Sequence, residues 1–447
     1  MSHVFHRHTQ EYYPTAMYGN GCYIIDHNGK RYLDGSSGAA VSHFGHTDPV
    51  IIQAIKKQLD RLPFAHTSFF TTEIMETLAD TLIAHAPVGI DRVYFVSGGS
   101  EAIEAGIKLA RHYFVEIGQP QRTRFIARRQ SFHGNTLGAL AVGHNLARRL
   151  PFEPLLMSVE HIMPCYAYRD QHAQEDELTF AHRCADDLEQ TLVAIGPDTV
   201  AAFIAEPIVG ATLGAVPAVA GYFKRIREIC DRYGVLLLLD EIMCGVGCTG
   251  TLFVSEQEEV RPDMITIAKG LGAGYQPIGA LLVSDKIYNG IEQGCGFFQH
   301  GYTYMGHVTA CAAAVAVLDR LIKDGLLEQV KTMGEKLQRA LHQRFDDHPH
   351  VGDIRGRGLF LGLELVADRA TKQCFPPQWK VHHVIKQEAM AAGLICYPMG
   401  GTIDGQRGDH ILLSPPFIIE QTQIEEIVDK LGYAIDRAII APVARVS

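Results

Sequence analysis

The chain lacks a positive balance. Its 447 residues carry 40 lysines and arginines against 50 aspartates and glutamates, a formal net charge of −10. Nucleic-acid binders draw most of their affinity from basic contacts to phosphate, so no nucleic-acid partner is expected. The chain also lacks an apolar run long enough to cross a bilayer. Its most apolar helical stretch, residues 308–318, is short and rich in alanine, so no membrane partner is expected either. The opening residues MSHVFHRHTQEYYP hold no apolar signal-peptide core. The ten cysteines are scattered without a C-x-x-C pair. That pattern fits reduced, small buried residues of a cytosolic enzyme, and a cytoplasmic location is expected. There are 22 histidines but no H-E-x-x-H. The closest pairs, His6/His8, His348/His350 and His382/His383, fall in polar, loop-like or terminal stretches, so no metal is expected. What remains is an ordinary globular composition, 47% apolar and 20% charged, long enough for two or three domains.

The informative stretch is VLLLLDEIMCGVGCTGTLFVSEQEEVRPDMITIAKGLGAG, residues 235–274. Five consecutive apolar residues, 235–239, read as a strand buried on both faces, ending on Asp240 and Glu241. A second short strand, 264–268, ends on Lys269 and is followed by Gly270, Gly272 and Gly274. In open α/β sheets ligands sit beyond the carboxyl ends of the strands, so the segment aims an acid and a lysine at one crevice. Pyridoxal phosphate uses such a pair, a lysine for the Schiff base and an acid for the pyridinium nitrogen. A buried structural ion pair would look the same in sequence.

The rest of the chain supplies context. GCYIIDHNGKRYLDG reads as a hairpin turning at Asn28-Gly29, followed by a Ser36-Ser37-Gly38 loop that could line a site or only connect. Residues 48–62 and 72–86 read as amphipathic helices, separated by HTSFF, whose phenylalanines suggest packing more than substrate contact. In RVYFVSGGSEAIEAGIKLARHYF a strand, 93–96, meets a Gly/Ser turn and a helix from about Glu101, with Ile103, Ile107, Ala110 and Phe114 on one face. Such a helix N-terminus suits an anion; Ser100 could add a hydroxyl or simply cap the helix. Residues 124–144 form a strand–loop–helix unit with Phe132-His133-Gly134 in the loop, where the aromatic ring could stack on a planar cofactor. Residues 150–175 read as a long connection. Residues 199–208 form a strand ending on a further acid, Glu206, and 222–233 a helix stopped by Gly234. Gly245 to Gly250, GVGCTG, matches a dinucleotide fingerprint in letters only: no strand directly precedes it and no helical period follows.

Taken in order, these motifs resemble the class III aminotransferases, a pyridoxal-phosphate family of fold type I. GGSEAIEAGIKLAR is similar to the family's phosphate-binding turn and helix, and SFHG to its ring-stacking loop. AEPI, LLLLDEI and AKGLGAGYQPIGA resemble its strand-end acids and lysine, HGYTYMGHVTACAAA its neighbour-subunit loop, and LSPPFII its C-terminal signature. The resemblance covers nearly the whole chain. It implies an α/β fold with a large, mostly parallel sheet domain, residues 50–324, and a smaller α+β domain made from 1–49 and 325–447. By position it implies that Lys269 holds pyridoxal 5'-phosphate as a Schiff base and that Asp240 keeps the ring nitrogen protonated. Ile242 and Phe132 would pack on the two ring faces, with His133 beside them, Glu206 near the phenolic oxygen and Val209 near the ring. Gly99, Ser100 and, from a partner subunit, Thr303 would hold the phosphate, so a homodimer with shared sites is implied. Lys269 would move the substrate's α-proton as base and then acid.

Two departures bear on substrate and structure. Cys248 stands where many members have an arginine, and a structural consequence is expected. Members that bind 2-oxoglutarate carry an arginine three residues before the Pro-Pro pair, where this chain has Leu412. Arg407, in the preceding loop, is the nearest substitute, and a solvated surface arginine is the equal alternative. The pattern implies transfer from an ω-amino acid or amine donor to a keto-acid acceptor, pyruvate. An aminomutase, racemase or decarboxylase on the same site is the alternative, and a silent binding protein a more distant one.

Overall fold

In a computed structural model, which describes residues 3–446 and side chains through residue 440, seven strands form the sheet that positions the site. They are β1 (Ile90–Val96), β2 (Arg124–Arg128), β3 (Glu160–Ile162), β4 (Val200–Ala205), β5 (Leu236–Asp240), β6 (Met264–Ile267) and β7 (Gly279–Ser284). Their order across the sheet is β1-β7-β6-β5-β4-β2-β3. Only β7 runs against its neighbours, pairing antiparallel with both β6 and β1. The other six therefore point their carboxyl ends the same way. In β4 and β5 every residue is buried, as expected of parallel strands covered on both faces. Each of the four leucines of β5 contributes about 1.5–3 kcal/mol of burial to holding that strand central.

The expected hairpin, the two early helices and the helix over 222–233 all form. The helices span Pro49–Arg61, Glu73–Ala84 and Tyr222–Tyr233, the last closed by Gly234 at φ 64°. The glycine-turn helix begins earlier than expected, at Gly99, and runs to Glu116. Residues 150–175 are more structured than a connection: β3 adds an edge to the sheet, and Ala167–Asp170 forms a helical turn. The long helix Glu177–Ile195 packs on Tyr222–Tyr233 through Phe180, Cys184 and Leu188. Outside the large sheet lie two four-stranded sheets, one from 16–34 closed by Leu394–Ile395, the other from Val351–Arg357, Phe360–Leu365, Asp409–Leu413 and Tyr397–Gly400. Helices Leu326–Phe345 and Gln421–Val446 share one apolar core with them. Phe69 and Phe70 do not join the core; both stand exposed, at 78% and 67%, with Phe69 against the His66 ring.

Candidate active site

The carboxyl ends of β1, β2, β4, β5 and β6 converge on one cavity of about 470 Å³. Asp240 and Lys269 border it together, as their adjacent strands require: Asp240 lies opposite Thr266 in register, and Lys269 follows three residues on. Asp240 is buried and fixed on three sides. Its Oδ2 accepts from His133 Nδ1 at 2.6 Å, and its Oδ1 accepts from the Ile242 amide at 3.0 Å and the Thr266 hydroxyl at 3.4 Å. Lys269 sits at φ 45°, a left-handed conformation that costs a non-glycine residue about 1 kcal/mol or more. The turn Lys269–Leu271 holds it there. Burial lowers the pKa of its amine; Asp240, Glu206 and Cys244 work against that shift, and Arg148 adds to it. Its amine makes no hydrogen bond or ion pair among the described residues, so it is free to react.

Glu206 faces the same cavity. Its oxygens accept from the amides of Phe132 and Gly210, each at 3.0 Å. Burial raises its pKa, with nearby Asp240 adding to the rise while His133 and the two amides oppose it. The fully buried Arg128 guanidinium donates to the Glu206 carbonyl, locking the end of β4 to β2. Phe132 and Ile242 border the cavity as well.

At the end of β1, Ser97 to Ser100 form the wall. The helix there has Gly98 as its cap residue and no side-chain cap, so Ser100 does not cap it. The Ser100 hydroxyl instead accepts from the Asn135 amide at 3.0 Å. The amides at the start of this helix lack internal partners, as helix geometry dictates, and they open on the cavity. A Cβ on Gly99 would lie 2.9 Å from two Ile242 carbons, so any larger residue would push on Ile242. An anion-binding turn, an unpaired lysine and a buried acid thus surround one space, and they fit pyridoxal phosphate.

The other positions weighed from the sequence lie outside this chain's own cavity. Val209 does not line the cavity; it pairs with Val216 and packs against Tyr166 and Leu213. Thr303 is exposed in a loop and takes no part in its own chain's cavity. Arg407 is exposed and tied to Asp404 at 2.6 Å, because the tight 401–408 loop turns its side chain along its own backbone. Ser36, Ser37 and Gly38 do not reach the cavity, although Val41 beyond them does. Cys248 is buried, its thiol donating to the Cys244 carbonyl at 2.8 Å, a structural role as expected.

Sequence reasoning missed His43 and Arg148. His43 is buried and stacks on Phe417 at 4.5 Å; burial, with Lys269 assisting, holds its pKa down to about 3. Its position in SHFGH carries no pattern that distinguishes it from a core histidine. Arg148 stands over the Phe132 ring. Only a long-range fold could bring it there, sixteen residues along the chain.

Comparison with known proteins agrees with the geometry. The family described as aminotransferase class-III matches residues 5–435. An uncharacterised aminotransferase of Schizosaccharomyces pombe is 44% identical over 96% of this chain and 94% of its own. The tomato (Solanum lycopersicum) chloroplastic gamma-aminobutyrate transaminase 3 is 35% identical over 93% and 79% respectively. The crystal structure of the omega transaminase from Pseudomonas jessenii in complex with PMP superposes with a TM-score of 0.91 at 32% identity, covering 98% of this chain and 96% of that one. The α/β architecture, with its mostly parallel seven-stranded sheet, is the fold type I of pyridoxal-phosphate transaminases. The chain belongs to the class III aminotransferase family and is an aminotransferase.

Proposed function

We propose that the protein is a pyridoxal-phosphate-dependent aminotransferase. It moves an amino group from an ω-amino acid or simple amine to a keto acid, pyruvate, and acts as a homodimer with shared sites. The observation that carries this reading is the Lys269 amine, unpaired, lowered in pKa by burial and sharing one cavity with a triply anchored Asp240. When bound, pyridoxal phosphate supplies an aldehyde for the incoming amine and a ring that accepts electron density from the substrate carbon. The protein does the rest. Lys269 Nζ would hold the cofactor, then take a proton from the substrate carbon and deliver it to the former aldehyde carbon of the cofactor; a lowered pKa keeps more of the amine neutral to accept that proton. Asp240, oriented by His133, holds a proton on the ring nitrogen by its charge. Phe132 and Ile242 confine the ring, and the Gly99 and Ser100 amides receive the phosphate. Glu206, held by the Phe132 and Gly210 amides, faces the ring from its end of the cavity.

The choice of substrates has weaker but specific supports. Leu412 is a fully buried strand residue, so the arginine used by 2-oxoglutarate-binding relatives has no counterpart there. The tomato relative is named for an ω-amino acid and the Pseudomonas structure for omega transamination. For the dimer, Thr303 is exposed away from its own cavity, and Phe69, Phe70 and Tyr304 stand exposed on the chain. The test is the visible absorption of the purified protein on adding β-alanine and then pyruvate. The band of the lysine-bound cofactor should fade with the amine and return with the keto acid. A band that neither addition moves would refute this donor and acceptor, and no band after reconstitution would refute the site.

A further inference from the structure

Arg148 lies at the end of a short helix, Leu146–Arg149, with its guanidinium carbon 4.4 Å from the centre of the Phe132 ring. It is half-buried, yet its guanidinium meets no carboxylate and no carbonyl among the described residues. Every other buried or half-buried arginine described has such a partner. Its neighbour Arg149 makes the contrast: it donates to the carbonyls of Ala141 and Gly143 and pairs with Glu153. A guanidinium carries five N–H donors, and none of the Arg148 nitrogens is sealed from solvent, so these donors are open to an incoming acceptor. Stacking on the aromatic face restricts the Arg148 plane without using those donors.

Phe132 borders the cavity that holds Lys269 and Asp240; Arg148 does not itself line it but stands against the Phe132 ring, near enough for its charge to be felt at Lys269. The two positions weighed from the sequence do not offer a receptor for a substrate carboxylate. Arg407 is exposed and already paired with Asp404, and Leu412 is an apolar core residue.

We infer that Arg148 is the residue that receives the substrate carboxylate, binding it in a bidentate contact on the Phe132 side of the cavity while the amino or keto end faces Lys269. This rests on the aminotransferase reading above for the reaction and identifies what selects its carboxylate-bearing substrates.

Butyrate, a carboxylate with no amino group, is the probe, titrated by calorimetry into the cofactor-loaded protein. Arg148→Met keeps the apolar stem and removes the charge; it should weaken butyrate binding at least about tenfold, the scale of a lost charge-assisted pair. Arg148→Lys should fall between the two, and Arg407→Met should match the wild type. In turnover, kcat/KM for β-alanine should drop with Arg148→Met, while that for n-propylamine, which has a methyl group in place of the carboxylate, should not. Should Arg148→Met not load cofactor, Arg148→Gln is read in the same way. Unchanged butyrate binding in the Arg148 variants, a wild type that binds no butyrate, or a loss that appears in Arg407→Met instead would each overturn the assignment. Absence of the visible cofactor band in the wild type would fail the aminotransferase reading separately, and the butyrate titration would still decide Arg148.

Discussion

Replacing Asp240 with asparagine isolates charge from shape. The two side chains are nearly isosteric, so no cavity opens in the strand end. The Ile242 and Thr266 contacts to Oδ1 survive. The change falls on the 2.6 Å contact to His133, where an NH2 group would face a ring N–H. His133 must then shift its proton to Nε2, which is buried and has no partner. Losing one charge-assisted hydrogen bond and stranding a buried donor costs about 2 kcal/mol, so urea unfolding of the cofactor-free protein should register roughly that loss. The effect on rate should be larger. Without the carboxylate nothing holds the ring nitrogen charged, and the single-turnover rate should fall at least ~100-fold, or ~2.7 kcal/mol of barrier. Asp240 is also the first of the groups that hold the Lys269 pKa up, so the lysine should titrate lower in the variant. Stability unchanged within ~0.5 kcal/mol together with a rate within about threefold of wild type would refute this account of Asp240.

Gly99→Ala puts a methyl group 2.9 Å from Ile242 and should cost ~1–3 kcal/mol by overpacking, with weaker cofactor retention measured by dialysis. Burial raises the Glu241 pKa to about 7 despite amide contacts from Val254 and Ser255. Its proton is therefore held in the fold above the pH at which the unfolded chain releases it. That stabilisation is complete below about pH 4.5 and is lost as pH rises through about 7, a few kcal/mol at most, and Glu241→Gln should flatten the slope seen by thermal melts across that window. Thr303→Ala and Lys269→Ala chains, each impaired alone, should form a mixed dimer with one intact site if Thr303 serves the other subunit. Mixing that restores no activity would place Thr303 at its own site or at none.

The strand ends were legible because their signals are local. A five-residue apolar run stopping at Asp240, and a short mostly apolar run ending before Lys269, read as buried strands that deliver polar groups to one edge. Short or amphipathic pieces fared worse. β3 has three residues within a proline-rich stretch, too short to show a period, and it exists because β2 offers an open edge. Val209 shows the limit of positional transfer: in the strand Ile208–Val209, paired with Val216–Pro217, it packs against Tyr166 and Leu213 and does not line the cavity. Arg407 takes the solvated alternative for a local reason, since Asp404 lies three residues away in a tight loop and pairs with it. Arg148 went unseen because a cation gains meaning only from what surrounds it, and its surroundings come from Phe132 across a loop and two short helices.

The central claim is that Lys269, at the end of β6, is the residue that carries the cofactor. It is tested most directly by reducing the reconstituted protein with borohydride, which makes the lysine link permanent, and mapping the pyridoxyl phosphate adduct by peptide mass spectrometry. The account predicts one dominant adduct on Lys269 and its loss in Lys269→Ala. An adduct centred on another lysine, or labelling that persists unchanged in Lys269→Ala, would contradict it.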